Sequence, residues 1–195
     1  MLGGVIASPP QRVADLRLRS SDGPMRTRVW WPLSRDAGIP AGLLLFFVDA
    51  AVGEQDWLRE LATEAQVVIV AAPCAQDPDA IVRARLRDGM AALEWAAEHA
   101  GQLEADPGRL FVGGIGMGAA LANAAAAEAA ACGWPAITHQ LLISLDVPCP
   151  ELPEPVGAAP ATVVTSPIDV SALARSLLTA GSARARSTAR EPVRG

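Results

Sequence analysis

An α/β sandwich with a mostly parallel sheet and an antiparallel N-terminal hairpin is the fold predicted here, and three observations predict it. Ala14, Leu16 and Leu18 alternate with Asp15, Arg17 and Arg19, and beyond Ser21-Asp22-Gly23 a second alternation runs through Met25, Thr27, Val29 and Trp31. Two alternating runs joined by a short Gly-containing turn read as a hairpin. Leu43-Leu-Leu-Phe-Phe-Val48, Val67-Val-Ile-Val70, Leu110-Phe-Val112 and Leu141-Leu-Ile-Ser144 are instead apolar on both faces, as strands sandwiched between helix layers must be. Helical segments separate these runs, so the chain alternates β and α, the order of a layered fold with right-handed crossovers.

The elements follow in sequence. Pro32 and Pro40 punctuate the chain before the first buried strand. Residues 56–65 read as a short helix, and the strand at residues 67–70 closes a βαβ unit. Asp77 followed by Pro78 is an N-cap with proline at the first helical position. Leu86, Met90, Leu93 and Ala97 then recur at helical spacing to about Ala100. The third buried strand leads into a glycine-rich turn, Gly113 to Gly118, and an alanine-rich helix over residues 119–132. A strand at 139–144, a proline-rich link over 148–160, a strand at 162–165 and a helix around 171–179 complete the domain. Residues 1–181 are expected to form this one domain, and the aperiodic Arg-rich residues 182–195 a disordered tail.

Composition narrows the function. The chain has 195 residues, of which 51% are hydrophobic, enough for a substantial core. Its formal charge of −5 opposes nucleic-acid binding, which needs a basic face to displace counterions from phosphates. No apolar run reaches the ~20 residues required to span a bilayer, and residues 1–7 lack the charged start and long apolar core of a signal peptide. A cytoplasmic protein with neither membrane nor nucleic-acid partners is the expectation. Cys74, Cys132 and Cys149 are widely spaced and outside any CxxC pattern, which fits reduced thiols and implies no metal site.

The run Asp106-Pro-Gly-Arg-Leu-Phe-Val-Gly-Gly-Ile-Gly-Met-Gly-Ala-Ala-Leu-Ala122 resembles the segment around the nucleophile in hormone-sensitive-lipase-like esterases of the α/β-hydrolase superfamily. There a D-P-x-R turn leads through a strand into G-D-S-A-G-G. The resemblance extends along the chain. The hairpin at residues 12–31 is similar to the family's opening hairpin, and Leu43 to Val52 falls where the family has a strand ending in H-G-G-G. Residues 72–98, ending in Trp95 to Glu98, resemble the proline-rich loop and the helix that follow the next strand. Thr162-Val-Val-Thr-Ser-Pro-Ile-Asp169 is similar to the strand and turn that carry the catalytic acid.

What the resemblance implies about catalysis is loss. The family's G-x-S-x-G elbow projects a serine above the sheet, and here it reads Gly114-Ile115-Gly116-Met117-Gly118. Gly116 therefore occupies the nucleophile position. The oxyanion loop is replaced by Val48-Asp49-Ala50-Ala51, and a carboxylate there would repel a developing oxyanion. Asp169 stands at the acid position, where capping the following helix explains it equally well. The family's histidine follows one further strand, which this chain lacks. His99, at a helix end, is expected to be solvated, and His139, beside a strand start, to be structural. The family's cap between residues 144 and 162 is reduced to a loop. The expectation is a catalytically inactive, cofactor-free hydrolase relative.

Other readings compete with it. Gly114, Gly116 and Ala119 satisfy G-x-G-x-x-A between a strand and a helix, the pattern of a dinucleotide-binding turn. Against it, Asp146 lies farther along than the acidic partner of that motif. Ser144, Ser166, Cys74 and Cys149 are candidate relocated nucleophiles for a weak hydrolase, although nothing in the sequence pairs them with a base. A binding module could hold a small anion or acyl ligand at Gly114, Gly116, Met117 and Gly118. A degraded or truncated gene product is a further alternative. Finally, the strand at 162–165 should lie at the sheet edge, where unpaired backbone groups favour a homodimer.

Overall fold

The computed structural model describes residues 11–20, 23–33, 40–49, 56–74, 82–144, 159–165 and 168–188. Seven strands form one sheet: β1 (Val13–Ser20), β2 (Gly23–Trp30), β3 (Ala41–Asp49), β4 (Val67–Cys74), β5 (Ala105–Ile115), β6 (His139–Ser144) and β7 (Ala161–Thr165). Among the described residues, four helices cover it: α1 (Asp56–Glu64), α2 (Val82–His99), α3 (Met117–Cys132) and α4 (Val170–Thr188). The strand order is β1-β2-β4-β3-β5-β6-β7. β1 and β2 pair antiparallel from Val13↔Trp30 to Ser20↔Gly23, β2 is antiparallel to β4, and every pairing from β4 to β7 is parallel. The four two-sided apolar runs thus lie side by side, as their composition predicts.

The alternation within each buried strand divides the core in two. Leu43, Leu45, Phe47, Val68, Val70, Leu110 and Val112 pack with Leu93, Ala96, Ala122 and Ala126 from α2 and α3. Their neighbours Leu44, Phe46, Val67, Ile69, Phe111, Ile115 and Ile143 pack with Leu58, Leu61, Leu173 and Leu177 from α1 and α4. Successive side chains point to opposite faces of a strand, and both faces here meet a helix layer. The edge of the second layer is tied by Ser171, whose Oγ on α4 donates to Glu64 Oε2 of α1 at 3.0 Å.

Three features depart from the sequence reading. β5 starts at Ala105, so the Asp106-Pro-Gly-Arg109 segment runs within the strand. Asp106 Oδ1 accepts the Gly108 amide at 2.8 Å, a local bond that satisfies the backbone where proline interrupts donation. Arg109 is buried and donates from Nη1 to the Pro40 carbonyl at 2.8 Å. Its guanidinium lies under α4, where a side chain on Gly181 would come within 2.7 Å of Nε. The glycine-rich segment is also less of a turn than expected: Gly113 to Ile115 belong to β5. A Cβ on Gly113 would stand 2.6 Å from the Leu141 carbonyl oxygen, so glycine there serves close strand packing.

The third departure is at the end of the chain. Residues 182–188, expected to begin a disordered tail, continue α4 to Thr188. Apolar periodicity is absent from Ser182-Ala-Arg-Ala-Arg-Ser-Thr188, but alanine and arginine are among the strongest intrinsic helix formers, and the preceding turns are anchored by buried Leu173 and Leu177. Among the described residues, no helix is long and apolar enough to cross a membrane.

Candidate functional site

Within the parallel part of the sheet the order β4-β3-β5-β6-β7 reverses direction between β3 and β5. Crossovers on either side of such a switch point leave to opposite faces, opening a crevice beyond the carboxyl ends of the two strands. The turn from β5 into α3 stands at that crevice. It is a single residue, Gly116, with φ 58° and ψ −123° and no side-chain cap for the helix. Its amide donates to the Ile143 carbonyl of β6 at 3.0 Å, and its carbonyl accepts the Ala119 amide at 3.0 Å. A residue with a Cβ is strained in this conformation, by about 1–3 kcal/mol. The chain thus turns from strand to helix in one sharp elbow, and the residue on it has no side chain.

The flanking glycines make the elbow possible. A Cβ on Gly114 would fall inside contact distance of the Gly118 carbonyl group and 2.7 Å from the Ala119 nitrogen. A Cβ on Gly118 would collide with the Phe47 carbonyl oxygen and stand 2.7 Å from the carbonyl carbon. Both approaches bring α3 down onto β3 and β5, with Phe47 paired to Gly114 in the ladder. Gly114 and Gly118 are buried, whereas Gly116 and Met117 are partly exposed at the tip.

The other sites expected from the resemblance are distributed around this elbow unevenly. Val48 and Asp49 end β3 and pair with Pro73 and Cys74 of β4, next to the crevice, while Ala50 and Ala51 lie outside the described residues. Asp169 lies just before α4, where its Oδ1 accepts the Ala172 amide at 3.0 Å and its carbonyl accepts the Leu173 amide at 3.1 Å. The side chain thus fills the N-cap position. Asp169→Ala is expected to cost about 1 kcal/mol, read as a fall in Tm of roughly 2–4 °C in thermal denaturation.

Neither histidine reaches the elbow. His139 pairs with Phe111, five positions before Gly116, which places it roughly 16 Å down the sheet at ~3.3 Å per residue. It is 9% exposed, and its Nε2 lies 2.8 Å from Thr162 Oγ1 and 3.3 Å from Ser176 Oγ. Burial pushes the imidazole below its ordinary range. His99, expected to be solvated, is half-buried: its ring stacks on Trp95 with centroids 4.7 Å apart, and Nδ1 meets the Trp95 carbonyl at 2.8 Å. The aromatic one turn earlier on the helix supplies the apolar surface that covers it.

Of the candidate relocated nucleophiles, Cys74 is buried at the end of β4 and Ser144 ends β6. Ser166 and Cys149 lie outside the described residues, as do Asp146 and the Asp77-Pro78 cap. The serine that does meet a histidine is Ser176, which sequence reasoning did not single out. Thr162, Ser176 and His139 come from three elements, and only the β6–β7 register and the docking of α4 bring them together. Among the described residues, no group of His, Cys, Asp and Glu could hold a metal ion.

The fold is shared with known proteins. A family model described as alpha/beta hydrolase fold matches residues 45–194, and the chain belongs to that family. It is 33% identical over 140 residues to Esterase LipI of Mycobacterium tuberculosis, an alignment covering 69% of this chain and 44% of that protein. Carboxylesterase NlhH from the same organism is 28% identical over 147 residues, covering 70% of this chain and 46% of the relative. The solved structure of a hyperthermophilic esterase from the archaeon Pyrobaculum calidifontis superposes with a TM-score of 0.60 at 27% identity, covering 70% of this chain and 46% of the other. The chain spans less than half the length of these relatives.

Proposed function

We propose that this chain is a pseudo-hydrolase: an esterase-family α/β-hydrolase domain that does not itself catalyse serine-dependent ester hydrolysis. One observation carries the reading. The backbone at Gly116 holds the conformation of a nucleophile elbow, yet glycine offers no atom to attack an acyl carbon. Covalent catalysis needs a hydroxyl or thiol activated by a base within about 3 Å, and at this position the hydroxyl is missing while both histidines lie elsewhere. Incubation of the purified chain with a fluorophosphonate probe is expected to give no covalent adduct by intact-mass spectrometry. A single stoichiometric adduct would contradict the reading and locate a relocated nucleophile by peptide mapping.

A crevice without a nucleophile can still hold a small acyl ligand, and the partly exposed tip at Gly116 and Met117, at the switch point of the sheet, favours this as the second reading. Self-association belongs to the same proposal. β7 is the last strand in the sheet order, and Val163 on it is 66% exposed. An edge that presents unpaired backbone groups and an apolar side chain is a template for pairing with a second copy. Sedimentation at high protein concentration is expected to show a dimer that Val163→Glu dissociates. Strictly monomeric behaviour of the unsubstituted chain would refute the edge pairing.

A further inference from the structure

A second polar cluster lies at the opposite end of the sheet from the elbow, and the esterase ancestry does not account for it. Beside α4, at the N-terminal ends of β6 and β7, an open cavity of about 600 Å³ is lined by Thr138, His139, Pro160, Arg175, Ser176 and Thr179, with two alanines of α4 completing the wall. No acidic side chain is among these lining residues. Thr162 Oγ1 and Ser176 Oγ are 2.6 Å apart, and His139 Nε2 is 2.8 and 3.3 Å from them. Thr179 directs its hydroxyl proton to the Arg175 carbonyl at 2.8 Å and Thr138 to the Gly108 carbonyl at 3.4 Å, so Ser176 and Arg175 are the side-chain donors left for anything in the cavity.

We propose that this cavity is a binding site for a small oxyanion, a carboxylate or phosphate group, which Ser176 and Arg175 contact directly and whose charge a protonated His139 balances. Proton counting supports the assignment. The two hydroxyls and the imidazole nitrogen make three short contacts, and two hydroxyl protons cannot serve all three while also pointing outward. With a proton on Nε2, as in the neutral Nε2–H tautomer or the imidazolium, the imidazole donates to Thr162, Thr162 donates to Ser176, and the Ser176 proton is released toward the cavity. An anion there completes the chain with a charge-assisted bond, and Arg175, one position away on the same helix, adds a second. Arg175 is the charged residue lining the cavity, and Thr162 is the β7 group facing His139, so no neighbouring carboxylate among the lining residues competes for the imidazolium. Burial lowers the His139 imidazole pKa, whereas an anion within about 4–6 Å favours the charged ring. The site is independent of whether the elbow is catalytic.

The chain contains two histidines, so their imidazole proton resonances can be followed separately by NMR as pH is varied, with His99 as the internal reference. Inorganic phosphate and acetate are the two probes, and they separate a phosphoryl preference from a carboxylate preference. Either anion at saturation is expected to raise the titration midpoint of His139 and leave that of His99 in place. Arg175→Gln, an exposed position on α4, should weaken the apparent affinity about tenfold or more, the loss of one charge-assisted bond. Ser176→Ala should abolish the response of His139. A His139 midpoint that neither anion moves would overturn the proposal, as would a response of equal affinity in Arg175→Gln. The Arg175 variant decides the matter if Ser176→Ala does not fold.

Discussion

Gly118→Ala is expected to destabilise the chain by about 3 kcal/mol or more, seen as a Tm at least roughly 6–12 °C lower in a protein of this size. The added methyl would collide with the Phe47 carbonyl oxygen, and the obstacle is backbone in the central strand β3, which cannot turn aside as a side chain could. Relief requires α3 to lift from the sheet, and α3 carries Ala122, Ala125, Ala126 and Ala129, all buried against it. Gly114→Ala meets the Gly118 carbonyl group in the same way and should behave alike. Gly101→Ala is the control. Nothing lies within 4 Å of a Cβ at that position, and its effect should stay within ~0.5 kcal/mol. Equal stability of the Gly118 and Gly101 variants in denaturant titrations would show that the tight packing of the elbow is not a feature of the protein.

The second large effect concerns the reaction. In hydrolases that use a serine triad, loss of the nucleophile lowers kcat by about a millionfold, and what remains comes from the oxyanion hole and binding. On the proposed reading, glycine at position 116 leaves no nucleophile at the elbow. Restoring a hydroxyl by Gly116→Ser is expected to leave the chain inert, because His139 lies roughly 16 Å down the sheet and His99 is held against Trp95 at the end of α2. A serine without a base within reach keeps its proton at neutral pH. The substitution should also cost about 1–3 kcal/mol, since φ 58° and ψ −123° strain any residue with a Cβ.

How much of this was legible in the sequence follows from the kind of signal each part leaves. The buried strands were legible because Leu43 to Val48 and Val67 to Val70 are apolar at every position, a pattern few structures other than a covered parallel strand explain at that length. The hairpin was legible from strict alternation, confirmed by the Val13↔Trp30 to Ser20↔Gly23 register. The strand start at Ala105 was hidden by Pro107 and Gly108, which read locally as a turn, and the end of α4 by a loss of apolar period that Ala and Arg propensity overrides. The elbow was located by its resemblance to the family's nucleophile segment. The reason for its glycines was not legible, since Phe47 and Leu141 approach from other strands. The His139, Thr162 and Ser176 cluster was invisible for the same reason: its members lie 14 to 37 positions apart and share no local pattern.

Hydrolysis of short-chain p-nitrophenyl esters by the purified chain tests the central claim most directly. With Gly116 at the elbow, the rate should equal that of a matched protein blank at every ester concentration, with no burst of p-nitrophenol. Saturable hydrolysis that survives purification to constant specific activity, and that disappears on substitution of Ser144, Ser166, Ser176 or a cysteine, would contradict it.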